Sequence, residues 1–97
     1  MAQRLIISDR ARHEIGEAYQ WYEEHLSGLG AEFLRSVDAQ LSLIVESPNI
    51  HAEVRPRVRR ALLSHFPYGV FYAAKGDITS ILAVIHTARS PRGWPRR

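Results

Sequence analysis

Three apolar runs separated by turn signals fill the chain between Val58 and His86, and this pattern predicts a three-stranded antiparallel meander. The first run, Val58 to His65, closes on Phe66-Pro67-Tyr68-Gly69, where proline presets φ at the second turn position and glycine suits the fourth. The second, Val70 to Ala74, closes on Lys75-Gly76-Asp77-Ile78, a two-residue hairpin loop with glycine available for positive φ. In the third, strict alternation puts Ile78, Leu82 and Val84 on one face and Ile81, Ala83 and Ile85 on the other. A strand apolar on both faces belongs inside a sheet. His86 ends this run on the face of Leu82 and Val84.

The N-terminal half follows a different period. Arg4 to Ile7 reads as a short strand, and Ser8 can cap a helix with Asp9 against its positive end. Ala11, Ile15, Ala18, Tyr22 and Leu26 then recur at helical spacing, with Tyr19 and Trp21 flanking the stripe as a roof over the core edge. Gly28 is placed to end this helix in a left-handed cap, and the short link to the next segment implies a helical hairpin. A second helix over residues 31–46 would turn Leu34, Val37, Leu41, Ile44 and Val45 inward. Leu43 projects opposite that stripe, with Leu29 and Phe33 part-way round. Either this helix is covered on two sides within the monomer, or these residues form an apolar patch awaiting a partner. Pro48 to Arg57 reads as a connecting loop, and Thr87 to Arg97, with two prolines and a glycine, as an irregular tail whose Trp94 folds back onto the sheet. The order β-α-α-β-β-β predicts an α+β fold, a helical hairpin on a mainly antiparallel four-stranded sheet, with residues 1–97 forming one domain.

At 97 residues the chain has room for a single core. It has no cysteine, so neither a disulfide framework nor thiolate chemistry is open to it, and no apolar run approaches the ~20 residues of a membrane span. A cytoplasmic protein without a membrane partner is the expectation. The net charge of +3 conceals an uneven distribution: up to Val54, four arginines face nine carboxylates, whereas from Arg55 onward nine cations face only Asp77. All the cations but Lys75 are arginine, which suits bidentate contact with phosphate or carboxylate. Two partners fit such a basic sheet half, nucleic acid or an acidic protein segment; the alternative is a solvated face whose charge only aids solubility.

The five histidines form no metal-binding spacing and have no cysteine companions, so neither metal nor other cofactor is expected. Glu23 and Glu24 read as solvated charges. His86 with Arg89 is the one constellation suited to RNA cleavage: His86 could protonate the leaving oxygen while Arg59, Arg60 or Arg89 bound the phosphate. The general base has no obvious position, Glu53 being a guess. The simpler reading is a locally hydrogen-bonded strand-end histidine beside arginines that dock a partner.

The helical hairpin, Phe66-Pro67-Tyr68, Phe71-Tyr72, and Ala83-Val84-Ile85-His86 followed by Arg89, Pro91 and Trp94 together resemble the RelE/ParE superfamily of toxins from bacterial type II toxin–antitoxin modules. The resemblance spans essentially the whole chain, and its most specific part is the Phe-Pro-Tyr turn followed, at the right distance, by the His-x-x-Arg-x-Pro-x-x-Trp ending. It implies a growth-arresting, plasmid-stabilising toxin held in a hetero-oligomer by a cognate antitoxin, for which Trp21, Phe33 and Leu43 would be the apolar contacts. RelE-like members cleave messenger RNA on the ribosome with a site rich in lysine, arginine and tyrosine; ParE-like members inhibit DNA gyrase. With one lysine, at a hairpin turn, and Thr87 after His86, this chain is similar to the ParE side. The resemblance then assigns target binding to Arg59, Arg60, His86, Arg89, Arg92 and Trp94, leaves the catalytic residues unknown, and keeps His86, Arg89 and Arg60 for the nuclease alternative. A third reading is a degenerate member that only binds partners.

Overall fold

A computed structural model describes residues 4–96. Strand β1 (Arg4–Ile7) leads into α1 (Asp9–His25) and α2 (Leu29–Glu46), followed by β2 (Glu53–Arg55), β3 (Val58–Leu62), β4 (Tyr68–Lys75) and β5 (Ile78–His86). The strands form one sheet in the order β1-β5-β4-β3-β2, antiparallel except for the parallel β1–β5 pair. The α+β architecture with a helical hairpin on a mainly antiparallel sheet is as the pattern predicts. The sheet has a fifth strand because β2 lies inside the segment read as a loop. It is only three residues long and pairs with β3 irregularly, too short for a period-2 signal to show.

Ser8 caps α1 as its sequence position predicts: its Oγ accepts from the Ala11 N–H at 3.0 Å. The link between the helices differs. Helix α1 ends at Leu26, and Gly28, at φ 92°, forms the entry to α2. Glu23 is not a solvated charge; its carboxylate accepts from the backbone N–H groups of Gly28 and Gly30, each at 2.9 Å. It thus serves amides at the start of α2 that have no partner within the helix.

Helix α2 is turned slightly from the phase that the apolar pattern suggests. Its buried face is Phe33, Val37, Gln40, Leu41 and Ile44, while Leu34 is exposed. Phe33, expected on the partner-facing side, has no exposed surface and stacks against Tyr22 at 5.4 Å, with Phe66 and Tyr68 edge-on. Aromatic neighbours from α1 and β4 outweigh the aliphatic stripe in setting the helix rotation.

The alternation predicted for β5 is broken by a bulge. Phe71 pairs with Ala83 but Tyr72 pairs with Ile81, leaving Leu82 extra. Ile81 and Val84 therefore both join the core under the helices, whereas Leu82 goes with Ala83 and Ile85 to the opposite, outer face. The bulge sits where β1 ends, and there the side chains of α1 take over the exposed edge of β5. Ser8 Oγ donates to Leu82 O at 3.0 Å, and Val84 N–H donates to Glu14 Oε1 at 2.8 Å. The outer face carries Val58, Phe71, Ala83 and Ile85, with Trp94 of the C-terminal tail packed against Phe71 at 5.2 Å.

Candidate functional site

The C-terminal end of β5 opens into a groove of about 650 Å³ between α1, the β3–β4 turn and the start of the tail. Its apolar walls are Trp21, Tyr22, Pro67, Tyr68 and Val84, and its polar groups are Glu14, Glu17, His86 and Arg89. Tyr68 and His86 face each other across the β4–β5 ladder, their rings 5.2 Å apart. The Ala88 N–H donates to His86 Nδ1 at 3.0 Å, so in neutral imidazole the proton resides on Nε2. Glu14 is largely committed, with Oε1 on Val84 N–H and Oε2 accepting from Arg10 Nε at 3.1 Å. Glu17 lies 3.3 Å from His13 at the exposed rim. A second groove, of about 600 Å³, is lined by Leu29, Leu43, Phe66 and Gln40 and shares Tyr22 and Pro67 with the first.

The residues singled out from the sequence divide among three places. His86 and Arg89 share the first groove with Trp21, which is 55% exposed and stacks on His25. Leu43, 49% exposed, lines the second groove, while Phe33 is in the core. Arg60 lies on the outer face, with its guanidinium 5.0 Å from the Trp94 ring. Arg55 lies 5.9 Å from that ring and also donates to Pro91 O, so the two arginines clasp the tail. Arg59 is tied to the 49–51 loop, donating to His51 O at 2.6 Å, and its other terminal nitrogen lies 3.7 Å from Glu53. Arg92 is exposed on the single helical turn Pro91–Gly93. The sheet therefore separates Arg60 from His86 and Arg89. Of the residues the groove adds, Tyr68 was marked in the sequence only as part of the Phe66-Pro67-Tyr68 turn, and Glu14 and Glu17 had no signal because their approach depends on how α1 lies against β5.

A family model described as the ParE toxin of the type II toxin–antitoxin system parDE matches residues 5–91. The chain belongs to the ParE toxin family. This toxin also shares its fold with a solved chromosomal ParDE toxin–antitoxin system from P. aeruginosa, at a TM-score of 0.77 and 18% identity, covering 88% of this chain and 96% of that one. No curated protein sequence matches it significantly.

In this ParE-family toxin, burial raises the phenol pKa values of Tyr22, Tyr68 and Tyr72. For Tyr68, Arg89 opposes that shift and Glu17 adds to it. Tyr72 also needs its proton, because its hydroxyl donates to Pro48 O at 2.7 Å. An acid whose folded pKa exceeds its unfolded value contributes stability that is intact below the unfolded pKa and lost as pH rises through the folded one. Urea unfolding from pH 8.5 upward is thus expected to show stability falling once pH passes about 10. Tyr72→Phe should make that fall shallower.

Proposed function

We propose that this ParE-family toxin arrests growth by inhibiting DNA gyrase and is neutralised by a cognate antitoxin in a hetero-oligomeric complex. The observation that most supports gyrase inhibition over messenger RNA cleavage is the dispersal of the nuclease set. Arg60 is stacked on Trp94 on the outer face, whereas His86 and Arg89 lie in the groove beside α1. Within that groove Glu14 already accepts a backbone amide and an arginine, which leaves it poorly placed to take a proton from a 2′-hydroxyl. Arg89 and the exposed Arg92 are better read as contacts to a macromolecular target. The two grooves that meet at Tyr22 and Pro67 expose Trp21 and Leu43, the apolar surface on which an antitoxin segment would lie.

Induced expression tests the reading. Gyrase inhibition predicts growth arrest with DNA-damage signalling, toxicity retained in His86→Ala, and toxicity reduced in Arg89→Glu. Abolition of toxicity by His86→Ala in a folded protein, with cuts in translated messages, would assign ribosome-dependent cleavage instead. Absence of arrest would leave a binding role alone. Antitoxin-peptide affinity should fall in Leu43→Asp and Trp21→Ala, and unchanged binding in both would remove these residues from the interface.

A further inference from the structure

We infer that the opposite end of the sheet carries a second binding site, one for the phosphate backbone of duplex DNA. The β2–β3 and β4–β5 turns lie side by side there, about 26 Å along β5 from His86 at the usual rise per strand residue. Between them is a groove of about 530 Å³ lined by Arg57, Arg59, Lys75, Asn49, Ser80 and Glu53, with three small or aliphatic side chains completing it. Glu53, the one carboxylate in the lining, lies against Arg59 at 3.7 Å, and the next acid along the chain, Asp77, is in the β4–β5 turn outside the groove, so Arg57 and Lys75 have no carboxylate of their own within it. Both are exposed, and neither side chain has an ion pair or hydrogen bond among the described residues. Arg57 is also held at φ 65°, where glycine is the least strained residue. The hairpin tip thus places a long cation where local backbone preference alone would favour none.

The lining identifies the partner's chemistry. Backbone phosphates ask only for cations and hydrogen-bond donors, which Arg57, Lys75, Asn49 and Ser80 provide. The groove has no aromatic residue to anchor a folded protein partner, which weighs against one. The same lack argues against single strands, whose unpaired bases bind by stacking on aromatic rings. This site goes beyond the gyrase reading and does not rest on it.

Fluorescence anisotropy with a mixed-sequence 20-base-pair duplex, read between 50 and 200 mM NaCl without gyrase, tests the site. The Arg57→Gln/Lys75→Gln double variant is expected to bind at least ~5-fold more weakly at 50 mM NaCl and to lose about 1.8 from the slope of log affinity against log salt. Arg12→Gln, an exposed arginine on α1, should change neither, and thermal melts confirm that all variants fold. The proposal is overturned if the wild type does not bind the duplex. It is equally overturned if Arg89→Gln rather than the double variant removes binding, or if single-stranded DNA or an acidic peptide binds this groove more tightly than the duplex.

Discussion

Phe33→Ala is expected to destabilise the protein by about 3–5 kcal/mol, measured as a fall in the urea midpoint with little change in slope. Phe33 has no exposed surface, and its ring contacts Tyr22, Phe66 and Tyr68, which join α1, α2 and β4. Truncation would leave an aromatic-sized void where these elements meet. Against the ~5–15 kcal/mol typical of a domain, that loss would leave a large unfolded fraction. The same experiment separates two roles. A surface contact for an antitoxin would change stability by no more than ~0.5 kcal/mol and affect only affinity. Leu34→Ala, on the exposed side of α2, is the matching control.

Glu14→Ala should be the second most damaging change, at about 2–4 kcal/mol. Among the described residues no strand pairs with the outer edge of β5 beyond Ile7, and Glu14 supplies the acceptor for the buried Val84 N–H. Removing it orphans that amide and also frees Arg10, whose guanidinium holds Gly93 O in the tail. Loss should therefore appear in two places: faster amide exchange at Val84 and altered fluorescence of Trp94 on the outer face. Glu14→Gln keeps an oxygen that can accept from Val84 and is expected to lose less than half as much. Equal losses in the two variants would show that the negative charge matters more than the hydrogen bond.

Much of the candidate site was legible in sequence only as a list of residues. The ending His86, Arg89, Pro91, Trp94 pointed to one end of the sheet, and the groove there that gathers His86 and Arg89 also takes Glu14, Glu17 and Tyr68 from elsewhere in the chain. Arg60 shows the converse. Beside Arg59 in sequence, it points to the opposite side and packs on Trp94, because neighbouring strand residues alternate between faces.

Local preference and hydrophobic period were enough to set the helical hairpin, the meander, the Ser8 cap and the separation of charge between the two halves. Each depends on residues close in sequence or on a period repeated over many positions. Tertiary packing alone decided the rotation of α2 that buries Phe33, the bulge at Leu82 that reverses the later part of β5, the capping by Glu23, and which arginines remain free. These outcomes arise from contacts between residues distant along the chain, where aromatic packing and the need to satisfy buried amides override local periodicity.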